Sequence, residues 1–158
     1  MLQAGDQAPD FELPDQNGDP VKLSDLKGQT VVLYFYPRAD TPGCTTQACG
    51  VRDHFEDYVE TNAARVIGLS PDEVADVKKF HEKYDLNFTL LADADHAVAE
   101  RYGAWGEKSM YGKKYMGILR NTYVIDPDGK IAKVLPKVQP KKHDALVLKA
   151  LAELAPAA

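Results

Sequence analysis

The sequence predicts one α/β domain, a sheet covered by helices on both faces. Three observations predict it. Apolar runs of strand length alternate along the chain with stretches of helical periodicity. One of those runs, residues 30–36, is apolar at almost every position, as a strand buried on both faces requires. Finally, Ser70-Pro71-Asp72-Glu73 reads as a helix start, with Ser as N-cap, Pro at the first helical position and Glu reaching back.

In order, the chain opens on a short hairpin. Phe11 and Leu13 alternate with polar residues, Asn17-Gly18 signals a turn, and Val21 and Leu23 alternate again. After Lys27-Gly28-Gln29 comes the buried strand. A helix is expected over about residues 45–60, with Val51, Phe55, Tyr58 and Val59 as its apolar stripe. Residues 65–69 read as a second strand. The helix opened at Ser70 continues to about Tyr84, turning Val74, Val77 and Phe80 inward, and residues 87–92 form a third strand. A short helix over residues 95–102 is closed by Gly103. Residues 105–117, rich in Gly, Lys and Tyr, read as a loop or insertion. Residues 118–125 are a strand, Asp126-Pro127-Asp128-Gly129 a turn, and residues 130–138 its hairpin partner. Residues 142–154 form a closing amphipathic helix, and residues 155–158 a flexible tail. No repeat, low-complexity tract or linker divides the chain, so residues 1–158 are expected to be one domain.

Composition narrows the function. With 44% hydrophobic and 27% charged residues, this is the make-up of an ordinary soluble domain. A net charge of -5 argues against a nucleic-acid partner, which demands a basic surface. No basic segment followed by an apolar one opens the chain. Its longest apolar run is far short of the roughly 20 residues that span a bilayer, so no membrane partner and a cytoplasmic location are expected. Two cysteines only five positions apart do not make a disulfide framework, which points to redox or catalytic use.

Both cysteines fall in residues 34–52, YFYPRADTPGCTTQACGVR. The stretch is strand up to Tyr36 and helix from Thr45, which puts Cys44 in a first helical turn just past a strand end. That is where α/β proteins do their chemistry. Unpaired helix N–H groups and the helix dipole favour a thiolate there, below the ordinary thiol pKa of about 8.5. Taken alone, a buried structural cysteine accounts for Cys44 equally well.

The surroundings of Cys44 decide between the two. The pattern Pro37-x-x-x-Thr41-x-x-Cys44 resembles the active-site signature of the peroxiredoxins. The longer FYPRADTPGCTTQACGVRD is similar to the peroxiredoxin Q branch, also called bacterioferritin comigratory protein. The likeness runs from APDF near the start to the last helix. It implies a thioredoxin-like fold with an N-terminal β-hairpin and an inserted helix and strand. It implies a thiol peroxidase acting on hydrogen peroxide and alkyl hydroperoxides, needing no metal, haem or flavin cofactor. Cys44 would be the peroxidatic thiol, oxidised to a sulfenic acid. Cys49 would be the resolving thiol of a Cys44–Cys49 disulfide, reopened by thioredoxin as external dithiol; resolution by an outside thiol is the alternative. Thr41 would bond the thiolate or orient the peroxide, unless it only caps the loop, and Pro37 would wall the pocket.

Arg120 has a warrant of its own. It interrupts the apolar run of residues 118–125, on one strand face with Ile118, Thr122 and Val124, and a guanidinium on a covered strand needs an anion. The resemblance supplies one in the Cys44 thiolate; pairing with a carboxylate or exposure at an edge is the alternative. Arg52, about two turns below Cys44 on the helix, is the weaker competitor.

Helical geometry adds a constraint. Positions i and i+5 lie about 140° apart around the axis, with Cα atoms roughly 8.5–9 Å apart. A disulfide needs less than about 7 Å, so residues 44–50 are expected to unwind before the bond closes, with Gly50 easing the change. By the same geometry Cys44, Cys49 and His54 point in three directions and cannot share a zinc ion. His81, His96 and His143 are expected at the surface, and Lys137, Lys141 and Lys142 on a solvated face. A hairpin edge and an acidic surface suit a monomer. Two rival functions remain: a thiol–disulfide oxidoreductase, against which the four-residue spacer counts, and a redox-sensing or chaperone-like binding protein.

Overall fold

The computed structural model describes residues 2–61 and 63–154; the tail expected at residues 155–158 lies outside them. Strands β1 (Glu12–Pro14) and β2 (Pro20–Lys22) pair as the opening hairpin. Then follow β3 (Thr30–Phe35), α1 (Pro42–Asp53), β4 (Ala64–Ser70), α2 (Val74–Lys83), β5 (Thr89–Ala92) and α3 (Ala97–Tyr102). The chain closes with β6 (Trp105–Met110), β7 (Lys113–Ile118), β8 (Thr122–Ile125), β9 (Ile131–Leu135) and α4 (His143–Leu154). The central sheet has the order β5-β4-β3-β8-β9. Strands β3, β4 and β5 are parallel, while β8 and β9 run antiparallel to their neighbours.

Central β3 is apolar on both faces because each face meets a core. Val31, Leu33 and Phe35 pack with Ile67, Leu69, Tyr102 and Tyr123 on the side of α3. Val32, Tyr34 and Tyr36 pack with Ala48, Val51, Phe80 and Val147, which come from α1, α2 and α4. No helix among the described residues is long and apolar enough to cross a membrane.

Five expectations need correction. The helix expected over residues 45–60 starts three residues earlier, at Pro42, whose missing N–H is harmless at a first helical position. It ends at Asp53, and a separate π-helical turn follows at Asp57–Thr61, leaving Val59 exposed. The apparent helix start at Ser70 belongs instead to the end of β4, and α2 begins at Val74. Its polar residues have a different use. Ser70 Oγ donates to Asp72 Oδ2 at 2.8 Å, and the Ala39 N–H donates to the same oxygen at 2.8 Å, tying the loop before α1 to the end of β4.

Residues 105–117, expected as a loop, form the β6–β7 ribbon. It turns through Tyr111 and Gly112, both at positive φ (51° and 78°), as tight hairpins require. The ribbon pairs with itself and not with the central sheet, and it packs into the core only at its base, Trp105 and Ile118, too little to select an apolar face along its sequence. The strand expected over residues 118–125 is broken. β7 ends at Ile118 and β8 begins at Thr122, so Arg120 lies in the crossing between them, outside any strand.

The histidines were placed wrongly. His81 and His96 are half-buried: the His81 ring bonds the Phe88 carbonyl, and His96 stacks on Trp105 at 3.8 Å. His143 is fully buried, its Nε2 3.2 Å from Thr122 Oγ1 and its ring 5.1 Å from that of Tyr34. An amphipathic pattern does not reveal which polar residue opening a helix faces inward. Lys137, Lys141 and Lys142 do lie exposed.

Burial first, and the Arg120 charge second, pushes the His143 pKa from 6.5 down to about 4. Its neutral form therefore belongs to the folded state, and the unfolded chain binds the extra proton. Stability should be complete above pH 6.5 and fall as pH drops toward about 4, by on the order of 3 kcal/mol at most. Asp93 and Asp144, whose carboxyls burial pushes up, have the opposite sign and soften the loss at its acid end. Urea unfolding of wild type and His143→Gln at pH 7 and pH 4.5 checks this. The variant should show the shallower pH dependence; equal slopes would rule it out.

Candidate active site

The site forms where β3 hands over to α1. After buried Tyr36, the chain passes through half-buried Pro37 to Asp40, a non-glycine residue at φ 59°. The Asp40 carboxylate accepts from Lys83 Nζ and Tyr84 Oη, both at 2.8 Å, which fastens the loop to α2. Thr41 then takes the N-cap position in an extended conformation. Its hydroxyl proton goes to the Arg38 carbonyl at 3.0 Å, so toward any third group it is left as an acceptor.

Cys44 is the third residue of α1. The first intrahelical bond after the cap runs from Thr45 N to Thr41 O, so the N–H groups of Gly43 and Cys44 lie ahead of it, at the positive end of the helix. Arg120 Nη2 donates to Cys44 Sγ at 3.3 Å, and Nη1 donates to Gln47 Oε1 at 3.0 Å. Gln47 lies one turn below Cys44 and is 1% exposed. The approach depends on Gly43, because a Cβ there would stand 2.9 Å from Arg120 Nη2. The Arg120 backbone is fixed as well, its carbonyl accepting from Val138 N at 2.8 Å.

Cys44 is itself only 1% exposed. A shallow groove beside it is lined by Lys108, Leu119, Arg120, Lys137 and Pro140. Burial and the neighbouring Arg120 charge push the Lys108 ammonium pKa down, and the Cys44 charge pulls it back up. The β6–β7 ribbon thus sets a second cation in the groove beside Arg120.

Cys49 lies on the same unbroken helix, half-buried, and both thiols are free. Arg52 is directed elsewhere: Nη1 donates to the Tyr84 carbonyl at 2.6 Å and Nε to Asp53 at 3.0 Å. Cys44, Gln47 and Arg120 are therefore in direct contact, with Thr41 and Pro37 in the loop leading to them and Cys49 one and a half turns along. Two neighbours escaped the sequence reading. Gln47 was recoverable, since positions i and i+3 share a helix face. Lys108 was not, because nothing local brings it into one groove with Arg120. Among the described residues no group of three His, Cys, Asp or Glu side chains converges as metal ligands would.

Comparison with known proteins identifies the family. Residues 4–134 match the AhpC/TSA family. The chain is 51% identical over 152 residues to Peroxiredoxin Bcp of Escherichia coli K12, covering 96% of this chain and 97% of that one. The crystal structure of peroxidoxin BcpB from Mycobacterium tuberculosis superposes with a TM-score of 0.86 at 38% identity, over 98% of this chain and 99% of the other. The bacterioferritin comigratory protein of Xanthomonas campestris, described for its alkyl peroxide reduction activity, gives 0.88 at 31% identity, over 96% and 98%. A likeness over nearly the full length of each chain carries the thioredoxin-like fold with it. The chain belongs to the AhpC/TSA family, in the bacterioferritin comigratory protein (peroxiredoxin Q) branch of the peroxiredoxins, and is a thiol-dependent peroxidase.

Proposed function

We propose that the chain reduces hydrogen peroxide and alkyl hydroperoxides through a Cys44 sulfenic acid and a Cys44–Cys49 disulfide, with thioredoxin as the reductant. The observation that carries this reading is the Arg120 guanidinium, 3.3 Å from Cys44 Sγ at the first turn of α1. A thiolate there attacks one peroxide oxygen. The O–O bond breaks, the leaving oxygen departs as water or alcohol after taking up a proton, and the sulfur becomes a sulfenic acid. Arg120 and the N–H groups at the start of α1 stabilise the charge that gathers on the leaving oxygen. Thr41 accepts the peroxide's own hydrogen bond, and Pro37, with no N–H to offer, walls the pocket.

The Cys49 thiolate next attacks the oxidised sulfur and water leaves. Both cysteines sit on α1, so residues 44–50 unwind for this step. An external dithiol then reduces the disulfide by thiol exchange. The chain works as a monomer in the cytoplasm. The alkyl peroxide reduction described for the Xanthomonas campestris relative supports that substrate class here.

Cys49→Ser tests the scheme. It is expected to consume about one equivalent of peroxide and then stop, with no sustained turnover on thioredoxin, while wild type loses two hydrogens by intact mass and cycles. Undiminished turnover by Cys49→Ser would remove Cys49 from the mechanism and favour resolution by an outside thiol.

A further inference from the structure

The two halves of α1 are held in different ways. In the first half, the bonds leaving the helix are those of Cys44 and Gln47 with Arg120; the Thr46 hydroxyl only bonds back to Pro42 O within it. The second half is held at Gly50. The Asp144 carboxylate, on the first turn of α4, sits so close to Gly50 that a Cβ there would overlap Oδ2. The fully buried Tyr58 donates its hydroxyl to Asp144 Oδ1. His54 Nδ1 lies 2.9 Å from the Gly50 carbonyl and 3.5 Å from Asp144 Oδ2. Just beyond, Val51 is fully buried, Arg52 donates to the Tyr84 carbonyl, and Asn87 Nδ2 donates to Arg52 O.

Oxidation acts on the two halves unequally. Turning the Cys44 thiolate into a neutral sulfenic acid removes the charge that Arg120 faces, so the hold on the first half weakens. The contacts at Gly50 do not involve Cys44 and stay in place. They restrain the residue next to Cys49 at the moment Cys49 has to move.

We propose that Asp144, bonded by Tyr58 and seated against Gly50, is a positioning residue that restrains Cys49 and sets the rate at which the disulfide closes. The inference rests on the Cys44–Cys49 reading above. Asp144 touches neither sulfur; it acts through the backbone at Gly50. A slow closing step lengthens the life of the sulfenic acid, which exposes Cys44 to a second peroxide and irreversible over-oxidation.

The test separates the two chemical steps in rapid-quench experiments on wild type, Asp144→Ala and Tyr58→Phe. Alkylation and mass spectrometry follow loss of the Cys44 thiol and appearance of the disulfide. Both variants should form the disulfide faster: Asp144→Ala, on the order of tenfold, leaves the buried Tyr58 hydroxyl without its acceptor, and Tyr58→Phe leaves the Asp144 carboxylate without that donor, so either loosens the seat against Gly50. The first oxidation should stay within about twofold, since neither side chain hydrogen-bonds Cys44 or Arg120, and over-oxidised protein at excess peroxide should decrease. Asp144→Asn, which keeps an oxygen for Tyr58 and still fills the space at Gly50, should give the smaller change. Should Asp144→Ala fail to fold, Tyr58→Phe gives the answer alone. Disulfide rates equal to wild type, or both steps slowing together, would overturn the proposal and leave the peroxidase reading standing. A wild-type protein that forms no Cys44–Cys49 disulfide would overturn both.

Discussion

Cys44→Ser is expected to consume no peroxide above the uncatalysed rate, with or without a thioredoxin system. The argument is chemical before it is structural. Attack on an O–O bond needs a polarisable anion, and a hydroxyl, far less acidic than any thiol, supplies essentially none at neutral pH. The substitution is otherwise mild. Serine occupies less space than cysteine at a position 1% exposed, and its oxygen still accepts from Arg120, so α1 and the pairing of Arg120 with Gln47 survive. Loss of activity with unchanged circular dichroism and a Tm near that of wild type therefore isolates the nucleophile. Stoichiometric peroxide consumption followed by a dye assay measures it. Residual consumption comparable to wild type would transfer the role to Cys49, the other thiol of the chain.

How much of this was legible beforehand follows a physical division. Strand β3 could be read because both its faces meet apolar side chains, so its residues carry the burial themselves. Cys44 could be read because a strand end, a nearby helix start and a helix dipole are all local. What escaped depends on contacts far away in sequence. Asp72 resembles part of a helix cap, yet its carboxylate bonds Ala39, thirty-three positions earlier. The β6–β7 ribbon packs into the core only at its base, Trp105 and Ile118, too little to give its strands a period. His143 looked like any polar residue near a helix start until Thr122 and Tyr34 closed around it. Arg120 is the instructive mixture. The need of its charge for an anion was evident from the sequence, while its position outside any strand was not. The break at Leu119–Asn121 frees the backbone to aim the guanidinium at α1, and Gly43 leaves it room.

Arg120→Ala should lower the second-order rate with hydrogen peroxide about 10²–10³-fold, the scale seen when a donor aimed at developing charge is removed. Two parts of that loss can be separated. Arg120 faces the sulfur in the resting enzyme through Nη2, and in the proposed mechanism it also stabilises the charge on the leaving oxygen. Alkylation of Cys44 by chloroacetamide needs the thiolate and expels no oxyanion, so it reports the first contribution alone. A peroxide rate that falls much further than the alkylation rate shows that Arg120 acts on the leaving oxygen. If the two fall equally, Arg120 does no more than hold the thiolate, and the role given to it in O–O cleavage is lost. Arg120→Lys sharpens the comparison. A single ammonium cannot donate to both Gln47 Oε1 and Cys44 Sγ across the fork that the guanidinium spans, so it should recover less than a tenth of the lost rate. Gln47→Ala should then cost Arg120 its aim without removing its charge. It should weaken the peroxide step by about tenfold, less than Arg120→Ala, because one hydrogen bond that orients a cation is worth less than the cation itself.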